Sequence, residues 1–158
     1  MLILFFILIM ATGCINRNCQ GHGCERCWQF LRINSECPCA IYSRMWLVPS
    51  NDFNGIELEF LQADDDIEAY LNVYTMSFPN LPGDSRHVEF QLEIMGQLKF
   101  FVAELLTGGQ KACVPDEIKN AIILSLLNDE PVGISAGKYK EILVPNYFYS
   151  VYHKIKPK

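Results

Sequence analysis

The chain has 158 residues, half of them hydrophobic and one-fifth charged, and a formal net charge of −5. That length is one ordinary domain's worth, and so large an apolar share supports a packed core rather than a disordered polymer. The acidic balance is a poor match for phosphate backbones, so no nucleic-acid partner is expected.

Residues 1–13 carry no charge, and Leu2 to Thr12 form an unbroken, nearly all-apolar run. A membrane span needs roughly 20 apolar residues, so this run is too short to cross and has the length of a secretory signal core. Ala11, Thr12 and Gly13 then supply the small side chains that a signal peptidase admits. The next residue is Cys14, and Ala11-Thr12-Gly13-Cys14 resembles the lipobox of bacterial lipoprotein precursors. It departs from that pattern in Ala11, where a larger aliphatic is usual, and in the lack of Lys or Arg ahead of the apolar run. The resemblance covers residues 1–14 alone. It implies cleavage before Cys14, acylation of that cysteine by palmitate-type chains, and a membrane anchor in the cell envelope. Ile15 following the cysteine resembles the pattern of outer-membrane or periplasm-facing sorting. The alternative is an ordinary cleaved signal and a secreted product.

Residues 14–39 form a cysteine-rich segment containing Cys14, Cys19, Cys24, Cys27, Cys37 and Cys39, and Cys113 stands alone far downstream. Lipid on Cys14 would leave six thiols, an even number able to pair completely. In an oxidising compartment such density staples a segment too small for its own core. Cys19, Cys24, Cys27, Cys37, Cys39 and Cys113 are therefore the disulfide candidates, with Cys113 tying the segment to the rest. Cys37 and Cys39 are separated only by Pro38, so each is expected to pair elsewhere. Three other readings use the same sulfurs. Cys19, His22, Cys24 and Cys27 offer a zinc-like N/S ligand set, and the Cys19, Cys24, Cys27 spacing matches part of a plant-type ferredoxin motif. Cys24-Glu25-Arg26-Cys27 has the spacing of a thiol-exchange pair. No cofactor is expected on the disulfide reading.

From residue 40 to 158 the pattern is that of a β-rich globular domain. Ile41-Tyr42 and Met45 to Val48 suit a strand ended by Pro49. Ile56, Leu58 and Phe60 alternate with Glu57 and Glu59, which predicts one buried and one wet face. Asp64, Asp65 and Asp66 interrupt, and Tyr70 to Phe78 reads as a strand. Leu81-Pro82-Gly83-Asp84 suits a type II turn. Val88, Phe90, Leu92 and Ile94 share one face, with Glu89, Gln91 and Glu93 on the other. Gly96-Gln97 suits a tight hairpin turn, and the return strand, Leu98 to Leu106, is apolar on both faces and is expected to be covered on both. After Gly108-Gly109, Pro115 and the acids Asp116 and Glu117 open a helix. Its stripe is Ile118, Ala121, Ile122, Ser125 and Leu126, and Asn128-Asp129 closes it. A hairpin turns at Gly137-Lys138, and in residues 146–155 Phe148, Val151, Tyr152 and Ile155 fit a short helix, the preferred reading, while Tyr147, Tyr149 and Val151 alternate like a strand. The expected fold is α+β: about seven strands, mainly antiparallel, in a sandwich-like sheet with one or two packed helices, preceded by the cysteine-rich segment.

Catalytic signals are sparse. Asp64, Asp65, Asp66 and Glu68 offer carboxylates to a hard cation but lack the glycine and spacing of calcium loops. Cys113 with His87 or His153 would make a thiol and base, and Ser85 lies near His87. The basic tail, Lys154 to Lys158, suits anionic head groups. There is no phosphate loop and no nucleophile elbow. The expectation is a membrane-tethered binding or structural protein with a protein partner.

Overall fold

The computed structural model describes residues 26–34, 41–63 and 65–155. Within them a single antiparallel sheet is built from β1 (Trp28–Asn34), β2 (Ile41–Leu47), β3 (Glu57–Ala63), β4 (Asp66–Asn72), β5 (His87–Ile94), β6 (Gln97–Leu105), β7 (Lys111–Cys113), β8 (Val132–Ala136) and β9 (Tyr139–Leu143). Helix α1 (Asp116–Leu127) separates β7 from β8, and α2 (Phe148–Ile155) ends the described chain. The strand order is β1-β2-β3-β4-β7-β6-β5-β8-β9. This is the α+β, mainly antiparallel class, with every strand in one sheet. The two strands beyond the seven expected are β1, which lies inside the stretch read as a cysteine-rich segment, and β7, which has three residues.

Alternation decides which side chains face the core. Met45, Leu47, Leu58, Phe60, Leu71, Val88, Phe90, Leu92, Ile134 and Leu143 are buried on the concave face. Ile122 and Leu126 of α1 and Phe148, Val151 and Ile155 of α2 join them in one cluster. Burying a side chain of this size contributes about 1.5–3 kcal/mol, so the helices are held on the sheet chiefly by these residues. Trp28 belongs to the same core: its ring meets Phe148 edge-on at 4.9 Å and lies 5.9 Å from Phe60. That packing makes β1 part of the globular domain, which therefore starts about a dozen residues before the boundary at 40 that composition suggested.

The sheet curls until its two outermost strands meet. The Trp28 indole donates to the Val144 carbonyl at 2.8 Å, and Arg26 donates to the Ile142 carbonyl at 2.8 Å. Glu141 points inward from β9, buried, and its carboxylate holds Arg26 at 2.9 Å and accepts from the Ser50 amide at 2.7 Å. The Lys140 amide donates to the Asn54 carbonyl at 2.9 Å. The Ile142 carbonyl and the Lys140 amide on the outer edge of β9 are thus bonded rather than left open. Gly55 is needed where this loop folds back, because a Cβ there would sit 2.6 Å from Pro49 Cβ and strike the Asn51 carbonyl.

Local chemistry explains the turns and the α1 boundaries. Gly83 has φ +80°, and Asp84 donates to the Leu81 carbonyl at 3.0 Å, as a type II turn requires. The β5–β6 hairpin differs from expectation: Ile94 pairs with Gln97, so Met95 and Gly96 are the central residues, with φ of 53° and 71°. Both lie in the left-handed region, the type I′ geometry whose twist matches the strands. Gly is therefore the second central residue, and Met95 takes a conformation uncommon for its type. Pro115 precedes α1, with Asp116 and Glu117 in its first turn and Asn128 capping its end. The segment Tyr70 to Phe78, read as one strand, contains only the end of β4, after which the chain leaves the sheet.

Candidate binding surface

The outer, convex face of the sheet has two dissimilar halves. On β2, β3, β4 and β7 it carries a polar network. Glu57 and Glu59 point outward from β3, yet they are only 2% and 5% exposed. This corrects the wet face expected from their alternation with Leu58 and Phe60. Arg44 on β2 donates through Nη2 to Glu57 Oε1 at 2.9 Å and to Glu59 Oε2 at 2.7 Å, and through Nε to Glu59 Oε2 at 3.0 Å. Asn72 on β4 donates to Glu57 Oε1 at 3.0 Å and Glu59 Oε2 at 3.2 Å. Lys111 on β7 reaches Glu59 Oε1 at 2.9 Å, and the Tyr74 hydroxyl donates to Glu57 Oε2. Each carboxylate oxygen has a donor, so neither buried side chain is left with an unsatisfied oxygen. Two cation–π contacts extend the lattice: Arg44 lies 4.3 Å from the Trp46 ring centroid, and Lys111 lies 4.2 Å from that of Tyr70. Burial and the Glu57 carboxylate push the Tyr74 phenol well above its ordinary value. The neighbouring Glu68 does the same to Tyr70, chiefly through the hydrogen bond it accepts.

On β5 and β6 the same face is bare. Leu98, Phe100 and Val102 project outward at alternate positions of β6 and are 58%, 63% and 46% exposed. Beside them, Glu93 opposes Leu98, Gln91 opposes Phe100 and Glu89 opposes Val102. The expectation that this strand is covered on both faces fails, because the helices pack only on the concave side. A shallow groove continues from β5 onto β8 and β9, where Gly133 leaves its floor open between Glu93 and Ile142.

The register aligns one row across the sheet: Glu59, Tyr70, Cys113, Glu104 and His87 on β3, β4, β7, β6 and β5. It places Cys113 and His87 two strands apart, about 10 Å at the usual spacing, with Glu104 between them. That separation is too great for a thiol to pass its proton to the imidazole. Burial and the carboxylates of Glu68 and Glu104 push the Cys113 thiol up, away from thiolate. His87 instead contacts Asp84 through Nδ1 at 2.7 Å, and the backbone amide of Arg86, with His87, holds the Asp84 carboxyl below its ordinary value. His153 lies on the exposed side of α2, edge-on to Tyr149 at 4.3 Å. Ser85 is exposed in the turn before β5.

Cys113, a disulfide candidate from sequence, is a free thiol. It sits on the central strand of the nine, with β4, β3 and β2 between it and β1, where the cysteine-rich segment enters the sheet. A disulfide needs Cα atoms within about 7 Å, so that placement keeps Cys113 from Cys27. Cys27 is half-buried just before β1. Cys14, Cys19, His22, Cys24, Cys37 and Cys39 lie outside the described residues, and with them the lipid-attachment and zinc-ligand readings. Asp65, Asp66 and Glu68 are exposed around the β3–β4 turn, and Asp64 lies outside the described residues. Among the described residues no three His, Cys, Asp or Glu side chains are grouped to hold a metal ion, and no helix is long and apolar enough to cross a membrane. No protein family, curated protein or solved structure matches this chain.

Proposed function

We propose that this is a non-enzymatic protein of a bacterial cell envelope, exported by residues 1–13, anchored through an acylated Cys14, and presenting its β-rich domain for binding or assembly with another protein. The leader and the lipobox-like Ala11 to Cys14 support export and anchoring. Two or three acyl chains on one cysteine suffice for a stable anchor, where a single chain holds only marginally. Up to two disulfides among Cys19, Cys24, Cys27, Cys37 and Cys39, an odd set now that Cys113 is free, stiffen the segment next to the anchor. The observation that carries the binding role is the row Leu98, Phe100 and Val102, three large apolar side chains left exposed in line on one strand. Contiguous apolar exposure of this kind marks interaction surfaces. The titratable groups nearby are engaged with one another in a satisfied network, which suits a structural role for them.

The decisive measurement is fractionation of a bacterium expressing the full chain, followed by mass spectrometry of the mature product. The expected species is membrane-associated, begins at Cys14 and carries the added mass of fatty-acyl chains. A product that retains Met1 and an unmodified Cys14 would overturn the anchor.

A further inference from the structure

The row on β6 is also an open sheet edge. β6 pairs with β5 along its length, but with β7 only at Glu104 and Leu105. The direction of its backbone groups follows from two bonds: Leu105 donates toward β5, to Arg86 at 2.7 Å, and Leu106 donates toward β7, to Lys111 at 2.8 Å. Odd-numbered residues of β6 therefore bond β5, and even-numbered residues point the other way. Leu98, Phe100 and Val102 each direct an N–H and a C=O to that second edge, where no strand among the described residues lies beside them. Two other strand edges, that of β4 across the slot left beyond β7 and that of β9 at the end of the sheet, are treated differently. On β4, the Ile67 carbonyl accepts from Lys119 Nζ at 2.7 Å; on β9, Arg26, Trp28 and Asn54 cover the edge. Exposed edges template strand addition unless they are blocked, and none of the described residues blocks β6 at these three positions.

The surrounding charge selects the occupant. Glu89 and Glu93 flank the apolar row on β5, Glu104 closes one end, and Asp66 and Glu68 stand exposed on the outer face of β4 across the slot. Of the nearby cations, Lys111 pairs with Glu59 and Lys119 with Asp116, while Lys99 on β6 alternates onto the opposite face of the sheet from the apolar row. We propose that the β6 edge accepts an extended segment of a partner protein in which Lys or Arg alternates with apolar residues, added as a tenth strand. Its main chain bonds Leu98, Phe100 and Val102, its apolar side chains cover that row, and its cations meet the acidic frame. This deepens the binding role proposed above and rests on it, but it does not depend on the acyl anchor, whose failure the mass measurement reads separately.

The test uses the full chain in detergent and a synthetic peptide of alternating lysine and valine, followed by calorimetry and residue-level amide exchange. The expected result is binding that weakens with salt, with new protection at Leu98, Phe100 and Val102 and little change at Lys99 and Phe101. Val102→Pro removes only an edge-facing donor, so it should leave the β5 ladder intact and weaken binding about tenfold or more. The double change Glu89→Lys and Glu93→Lys should weaken it without touching the backbone. Equal binding of a peptide with glutamate in place of lysine, or no protection at the three edge residues, would overturn the proposal. So would a dimer of the full chain that Val102→Pro disrupts, since the edge would then be filled by a second copy.

Discussion

The two halves of the outer face have the same backbone geometry and opposite chemistry. On β3, Glu57 and Glu59 alternate with apolar residues and are nevertheless buried, each oxygen engaged by Arg44, Asn72, Lys111 or Tyr74. On β6, Leu98, Phe100 and Val102 are apolar and nevertheless exposed. Side-chain hydrophobicity therefore does not decide burial on this face; the neighbours across the strands do. Acids are buried where donors reach them from both sides, Arg44 from β2 and Asn72 and Lys111 from β4 and β7, and apolar residues are bare where the adjoining strand ends after three residues.

The sharpest way to break the first half is Arg44→Met. It leaves two buried carboxylates without their shared guanidinium, and removing one partner of a buried ion pair typically costs about 3–5 kcal/mol. Arg44 is partly solvent-screened, so we expect about 3 kcal/mol by denaturant unfolding. Adding Glu57→Gln and Glu59→Leu should recover most of that loss, since the uncompensated charge is then gone. Recovery would show that the network specifies geometry more than it stabilises.

Tyr74→Phe tests the network more gently. It removes one donor from Glu57 and should cost about 1 kcal/mol. The phenol has a raised folded pKa, so its contribution is present in full below the ordinary value of 10.0 and is lost as pH rises from there toward the raised one. Thermal scans across that alkaline window should show wild-type stability falling more steeply than that of Tyr74→Phe. Parallel pH profiles would remove Tyr74 from the network.

Phe100→Ser should have the smallest effect on stability, within about 0.5 kcal/mol, because the ring is already mostly in water. The same substitution should reduce partner binding or self-association. A large loss of stability would mean that the row is part of the folding core and not a surface kept open.

Much of this architecture was legible in the residues. The period-two runs at 56–60 and 88–94, the turn at Pro82-Gly83 and the helix after Pro115 are local signals, and local sterics and solvation enforce them. The apolar run before Cys14, the small residues Ala11 to Gly13 and the cysteine spacing are likewise features of the sequence alone. Tertiary structure decided the rest. It recruited Trp28 into the core and so took β1 from the cysteine-rich segment. It cut β7 to three residues, set Cys113 and His87 on either side of Glu104, and turned a pair of glutamates into buried ligands of Arg44. The physical reason is register: cross-strand neighbours come from residues far apart in the chain, and no periodicity within one strand states which partner will lie opposite or where that partner stops.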